Sequence, residues 1–439
     1  MGALIGVLVL IVVVTALIRL SSRLRAAHQR RSGVSASSDA VTASPAEDGR
    51  VSPIFRVLAL GASGSGKTVF LSSMFHELDH RSQHRRYYLD TSAEQRILLS
   101  EIYSSVSDTT KPFPLGTRVG DMREFVFDCV AVDDASGARA PVLRVSYLDY
   151  AGEVLERGQE GGSTSLTELA AAMEGADSLL GIIDGYRVWQ LLQGIPAGET
   201  HFRNTLRPLF GFMARASCPI QFVLTKWDLV RNFGEPQDAD DQQRLDCVIE
   251  ALMGFEHFSS LVHEHSSRQV VRLIPVSAVG REFAHIVDGT VSKRRGGILR
   301  PYNVDAPFSA VLPDLFKQVE ATLDTGALNG LREEGRKALR AHRLDAIAVA
   351  LARPAVVAAR GLLTAAYGLT FSERLTTAYL QWMAAPLDVT AQELEKQRDA
   401  AAREFAQLQH LRALVMADFD RTVLRLEASL PQSELRGTW

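Results

Sequence analysis

A doubly wound α/β sheet, mostly parallel, is the fold class that the sequence predicts for residues 54–323, and three observations predict it. Short apolar runs alternate with stretches of helical period. The run 55–60 leads directly into Gly61-Ala62-Ser63-Gly64-Ser65-Gly66-Lys67-Thr68, and a helical stretch follows from Val69. That octapeptide fits G-x-x-x-x-G-K-[ST], and the order strand, loop, helix is the context in which the pattern makes a phosphate-binding loop. Polar boxes then stand at the ends of later apolar runs.

The candidate strands are 55–60, 124–132, 142–148, 178–184, 220–224 and 272–276. The second and third read as a hairpin joined through Asp133-Asp134-Ala135-Ser136-Gly137, which makes one edge of the sheet antiparallel. From Asp324 onward strand signals vanish, and an all-α region is expected. Its last segment is amphipathic, with Leu394, Ala401, Phe405, Leu408, Leu411, Val415, Phe419, Val423 and Leu426 along one side.

Residues 1–18 carry no charge and one hydroxyl, Thr15. A helix of that length covers roughly 27 Å against a bilayer core of about 30 Å, and Arg19 can snorkel to the interface. The positive charge follows the run, at Arg19, Arg23, Arg25, Arg30 and Arg31, whereas a cleaved signal peptide places it before. The expectation is an uncleaved single-pass transmembrane helix with its N-terminus out and the rest cytoplasmic. Gly2 does not start a myristoylation signal, because Gly6 stands where Ser or Thr is required. Residues 19–53 form a basic flank and then a flexible linker of small polar residues.

The 439 residues are 46% hydrophobic and 23% charged, which suits one large folded domain with appendages. A net charge of −3 argues against a protein held to nucleic acid by overall electrostatics, so no nucleic-acid partner is expected. Three cysteines, Cys129, Cys218 and Cys247, form no C-x-x-C pair and no even disulfide framework.

In the phosphate loop, inward backbone N–H groups and the positive end of the following helix would meet phosphate oxygens. Gly61, Ser63, Gly64, Ser65 and Gly66 supply the cradle, Lys67 reaches the β- and γ-phosphates, and the Thr68 hydroxyl ligates Mg²⁺. Asp149-Tyr150-Ala151-Gly152 follows the third strand and fits D-x-x-G, with Asp149 holding the metal through water and the Gly152 N–H meeting the γ-phosphate. Thr225-Lys226-Trp227-Asp228 follows the fifth and fits [NT]-K-x-D. Asp228 can accept from both N1–H and the exocyclic amine of guanine, a donor pair that adenine lacks. Lys226 would lay its stem over the base. Ser277-Ala278 follows the sixth strand, and the Ala278 N–H would donate to guanine O6.

Four boxes in register with strands resemble the Ras-like GTPases of the TRAFAC class over residues 54–323. The layout of anchor, tether and GTPase is similar to the β-subunit of the signal recognition particle receptor. The long inserts, the Pro-Phe-Pro-Leu-Gly-Thr segment 112–117 and the Asp-Tyr-Ala-Gly-Glu form resemble the bacterial double-GTPase family. That resemblance implies a second GTPase or another protein effector as partner. It also implies GTP or GDP with Mg²⁺ as the bound species, and a switch threonine as metal ligand and γ-phosphate sensor. Thr117 is favoured for this role over Thr109 and Thr110, because it lies just before the second strand.

Departures from the pattern bear on rate. Glu153 stands where Ras-type enzymes carry the water-orienting Gln, and slow intrinsic hydrolysis is expected. Ser63 replaces a loop glycine and Thr225 the commoner Asn. His76-Glu77-Leu78-Asp79-His80 matches the zinc-protease pattern, but it lies on the helix that leaves the phosphate loop and has no third ligand at a family spacing, so no zinc is expected. His263-Glu264-His265 reads as a solvated loop. The apolar stretch 344–369 is interrupted by Arg353 and Arg360, which favours a packed or interfacial helix over a second span.

The sequence therefore reads as a membrane anchor (1–18), a basic flank and linker (19–53), a P-loop GTPase domain (54–323) and a helical C-terminal region (324–439). The leading expectation is a nucleotide-controlled switch for a partner protein. The alternative is a scaffold or membrane-remodelling protein whose helical C-terminus assembles under nucleotide control.

Overall fold

In the computed structural model the described residues are 54–114, 123–151, 163–231, 240–311, 313 and 391–436, all within one compact unit, Val51–Trp439. The chain begins with β1 (Ile54–Gly61), α1 (Lys67–Leu78), β2 (Tyr87–Asp90), α2 (Ala93–Ser107), β3 (Arg123–Val132), β4 (Arg139–Ala151) and α3 (Ser163–Gly175). It continues through β5 (Ser178–Asp184), α4 (Gly185–Leu192), α5 (Pro196–His201), α6 (Arg207–Met213), β6 (Ile220–Thr225), α7 (Trp227–Arg231), α8 (Asp241–Met253) and α9 (Glu256–Ser266). Then come β7 (Val271–Pro275), β8 (Ala284–Val287), β9 (Thr290–Lys293), α10 (Ala391–Ser429) and β10 (Glu434–Leu435).

Eight strands form one sheet in the order β10-β7-β6-β5-β1-β4-β3-β2. Strands β4, β1, β5, β6 and β7 run parallel. Residues along β5 and β6 are buried without alternation, as expected of strands covered on both faces. The predicted hairpin is present: β3 pairs antiparallel with β4. Chain order reverses about β1, which has β4 on one side and β5 on the other. The carboxyl ends of the parallel strands therefore open a crevice at that switch point, where ligands of such sheets bind.

All six predicted strands occur, most with ends shifted by a residue or two, whereas β4 starts earlier, at Arg139. Three features lay outside the prediction. Strand β2 is only Tyr87–Asp90, too short for a period to register. The β8–β9 hairpin turns on Asp288 and Gly289, with φ 49° and 72°, the left-handed pair that a type I′ turn requires.

The third is β10, which pairs antiparallel with β7, so the expectation that strands end before Asp324 is corrected. Two residues suffice because Leu435 enters a core that the rest of the sheet has already built. From Leu411 helix α10 is amphipathic as expected: Leu411, Val415, Phe419, Val423 and Leu426 are buried, in i, i+4 and i+3 steps, while the side chains of Leu394, Ala401, Phe405 and Leu408 lie outside those described. Phe419 packs edge-on against Tyr87 and Phe308, with ring centroids 5.0 and 5.9 Å apart. From Leu411 the C-terminal helix therefore shares the core of the sheet. Burying a side chain such as Phe419 is worth roughly 1.5–3 kcal/mol.

His263-Glu264-His265 is not a loop. It lies in the last turns of α9, where His265 is buried and its ring Nδ1 is 2.7 Å from Gln269 Nε2. Burial holds the His265 imidazole below its usual pKa. Among the described residues no helix is long and apolar enough to cross a membrane. The predicted anchor 1–18 and the stretch 344–369 lie outside the described residues.

Candidate functional site

The phosphate loop leaves β1 at Gly61, where a Cβ would stand 2.7 Å from the Ile182 carbonyl oxygen on β5. Gly66, at φ 88°, caps the N-terminus of α1 without a side-chain bond, and the first turn of α1 holds no acid. The positive end of this twelve-residue helix is thus left to a ligand. Lys67 is buried and curls back, donating to the carbonyls of Gly61 at 2.8 Å and Ala62 at 3.0 Å.

The Thr68 hydroxyl donates to Asp149 Oδ2 at 2.9 Å. Asp149 is 1% exposed, and its Oδ1 has no hydrogen-bond partner. Burial raises the Asp149 pKa, against the pull of Lys67, the Thr68 hydroxyl and Arg123. Arg123 sits across from Asp149 in the β3–β4 register. A buried carboxylate oxygen without a donor, beside a hydroxyl, is a donor set of hard oxygens that fits Mg²⁺.

The Thr225–Asp228 box is fastened to the Gly61–Thr68 loop. Thr225 Oγ1 donates to Ser65 O at 2.6 Å and to Ile183 O at 3.1 Å. Lys226 adopts φ 51°, a left-handed conformation uncommon outside glycine, and its Nζ reaches Gly64 O at 2.9 Å and Asp184 at 2.8 Å. Asp228 is 3% exposed and accepts from Ser277 Oγ at 2.5 Å. Burial pushes its pKa up to about 6, opposed by that hydrogen bond. Ser277 Oγ in turn accepts from Gly280 N at 2.7 Å, and Ser73 on α1 donates to the Ala278 carbonyl at 3.0 Å.

One cavity of about 560 Å³ is lined by Ser63, Gly64, Gly66, Lys67, Thr68, Thr225, Lys226, Asp228 and Ala278. Boxes as far apart in the chain as Ser63 and Ala278 thus converge on a volume suited to a small ligand. Gly61, Ser65, Asp149 and Ser277 are not part of the lining, but each is tied to a residue that is: Gly61 and Ser65 accept from Lys67 and Thr225, Asp149 from Thr68, and Ser277 donates to Asp228. Thr117, Gly152 and Glu153 lie outside the described residues.

Sequence reasoning missed Asp184, Arg123 and the apolar wall. Asp184 ends the apolar strand β5, a position that could have marked it. Its Oδ1 caps α4 through Tyr186 N at 2.9 Å while the carboxylate holds Lys226. The wall comes from Ile102, Phe113, Pro114, Val279, Ala284 and Val291, all but Pro114 belonging to one apolar cluster. No local pattern announces that these segments meet.

The zinc-protease match has its own packing. His76 stacks on Tyr103 with ring centroids 3.7 Å apart, α1 ends at Leu78, and the exposed His80 bonds Asp79 at 2.9 Å.

No protein-family model and no curated protein matches the sequence. Among solved structures the chain is similar to the bacterial selenocysteine-specific elongation factor EF-Sec, at 11% identity and TM-score 0.26, covering 62% of this chain and 30% of that one. It is similar to the GTP-bound Ski7 GTPase-like domain of S. cerevisiae at 14% identity and TM-score 0.28, covering 52% and 43%. It is also similar to the signal recognition particle receptor SRb-GTP/SRX complex of Chaetomium thermophilum at 12% and 0.27, covering 52% and 93%. The chain thus spans less than half the length of the first two. At these scores the likenesses carry no functional weight, and the functional reading rests on the site itself.

Proposed function

We propose that this chain binds GTP with Mg²⁺ and hydrolyses it slowly, acting as a nucleotide-controlled switch for a partner protein. The observation that carries the reading is the placement of Asp228 on the wall of the same cavity as Lys67 and Thr68. A buried carboxylate braced by Ser277 is an acceptor for paired N–H donors, and the helix end and Lys67, which line the same cavity, suit polyphosphate. Guanine presents that donor pair on one edge and adenine does not.

Each residue has a role in this reading. Lys67 would exchange its two loop carbonyls for β- and γ-phosphate oxygens. Lys226, held between Gly64 and Asp184, would flank the base. Thr68 and Asp149, with Thr117, would hold the Mg²⁺, which when bound neutralises charge on the transferring phosphate. Glu153 would orient the attacking water. The Ras-like, TRAFAC-class resemblance and the paired-GTPase partner belong to this proposal. So does a membrane anchor at 1–18 with the GTPase domain in the cytoplasm.

For the alternative, a C-terminal assembly scaffold, the apolar face of α10 from Leu411 onward is already committed to the core, which favours the switch. The test is competition of GTP, ATP and XTP for protein lacking residues 1–31, together with fractionation of the full chain. Preferential GTP binding and membrane recovery of the full chain alone are expected. Equal affinity for ATP and GTP would overturn the guanine reading, and a soluble full chain the anchor.

A further inference from the structure

The stretch that carries Ser277 and Ala278 does not pass directly into a helix. It runs into the β8–β9 hairpin, whose Ala284 and Val291 line the nucleotide cavity. The hairpin packs in one apolar cluster with Ile102, Val106 and Phe113 of the preceding segment. Lys293, at the end of β9, donates from Nζ to Ser105 O at 2.6 Å and Asp108 O at 3.0 Å, two carbonyls at the C-terminal end of α2. Both lie at the C-terminal end of a helix, where a cation is favoured as donor and by the helix dipole; the Asp108 carbonyl also accepts from Lys111 N at 3.3 Å.

The same ammonium lies 5.1 Å from the centroid of the Phe113 ring, within reach of a cation–π contact. Phe113 packs edge-on to Phe283, which is fully buried just before β8, with centroids 6.4 Å apart. At the hairpin tip the Tyr186 hydroxyl donates to the Gly289 carbonyl, so α4 holds the far end. The hairpin is thus fastened at its base to α2 and at its tip to α4. Between those points Lys293 and Phe283 hold Phe113, which lines the cavity.

We infer that the β8–β9 hairpin is a clasp on the nucleotide cavity, with Lys293 as its positioning residue, and that it sets how slowly bound guanine nucleotide leaves. The inference rests on the nucleotide reading above. The apolar lining of the cavity is one cluster to which both the 102–114 segment and the hairpin contribute, so loosening their contact opens the cavity lining. Lys293 ties the 102–114 segment to the hairpin, beside the Phe113–Phe283 ring contact.

The experiment uses the full chain in detergent and two readouts: release of fluorescent GDP, and hydrogen exchange at the amides of 108–113 without nucleotide. Lys293→Met is expected to raise the GDP release rate about tenfold and to speed exchange at 108–113. Lys293→Arg, which can still donate to both carbonyls and cover the ring, is expected to stay near wild type. Tyr186→Phe, which keeps its ring but loses the bond to Gly289, is expected to move both readouts less, in the same direction. Unchanged exchange and release in Lys293→Met and Tyr186→Phe would overturn the clasp. Absence of GDP binding by the wild type would instead overturn the nucleotide reading, with exchange at 108–113 still deciding whether Lys293 fastens the wall.

Discussion

Asp418 and Arg86 are 332 residues apart in sequence and make three hydrogen bonds: Arg86 N to Oδ2 at 2.6 Å, and Arg86 Nε and a terminal nitrogen to Oδ1 at 3.1 and 2.7 Å. The Asp418 side chain is 1% exposed. The pair joins the C-terminal helix to the start of edge strand β2. Asp418→Ala leaves a backbone N–H and a guanidinium without their acceptor, and a loss of about 2–3 kcal/mol is expected. Urea unfolding of the two proteins measures it; a midpoint shift below about 0.5 kcal/mol would show that the C-terminal helix is held by its apolar face alone.

The same docking predicts what truncation does. A chain ending at residue 390 exposes the surface that Phe419, Val423, Leu426 and Leu435 cover. It is expected to lose cooperative unfolding or to aggregate. A truncated protein that melts cooperatively at the full-length temperature would show the helix to be dispensable.

Asp228 ties affinity to pH. Its carboxyl titrates at about 6, raised by burial, and only the ionised form accepts both guanine N–H groups. GDP affinity is therefore expected to be flat above about pH 7 and to fall about tenfold per pH unit well below 6. In the nucleotide-free protein the raised pKa works the other way. The stability this group contributes is present at low pH and lost as pH rises through about 6. Asp228→Asn should thus stabilise the empty protein at pH 7, on the order of 2 kcal/mol, while weakening GTP binding and relaxing selectivity toward xanthine nucleotides. Titration calorimetry from pH 5 to 8 checks the affinity, and urea unfolding of the nucleotide-free proteins over the same range checks the stability.

Lys67→Ala removes the one loop cation expected to reach the phosphates, and GTP and GDP affinity should fall by about two orders of magnitude or more. Retained binding in equilibrium dialysis would mean that the cavity takes another ligand. Asp149→Asn tests the metal instead: GDP binding should survive while its dependence on Mg²⁺ weakens.

Glu153 separates two mechanisms. If it positions water, Glu153→Ala lowers single-turnover hydrolysis with GTP affinity nearly unchanged, and Glu153→Gln retains or raises the rate. If it acts as repulsive charge near the γ-phosphate, both substitutions tighten GTP binding. Water positioning is the expected outcome; identical rates and affinities in all three proteins would remove Glu153 from the site.

Much of this architecture was legible locally. A parallel strand buried on both faces must be apolar throughout, so β5 and β6 showed themselves as runs. A phosphate loop needs left-handed backbone, so Gly64 and Gly66 stood out, and the boxes that begin at Asp149 and end at Asp228 and Ala278 are short enough for their chemistry to be local. The apolar stripe of α10 was equally plain, because helical period is a property of one segment. What covers that stripe was not.

The sequence by itself determined six of the eight strands of the main sheet and the spacing of the boxes at Gly61–Thr68, Thr225–Asp228 and Ser277–Ala278, because each depends on residues close together in the chain. Tertiary structure alone decided that α10 docks beside Tyr87, that two residues at Glu434–Leu435 complete the sheet, that Asp184 braces Lys226 and that Lys293 reaches the end of α2. Those contacts join segments separated by dozens to hundreds of residues. Each is a single hydrogen bond, ion pair or ring contact whose two halves, read apart, carry no periodicity and no motif.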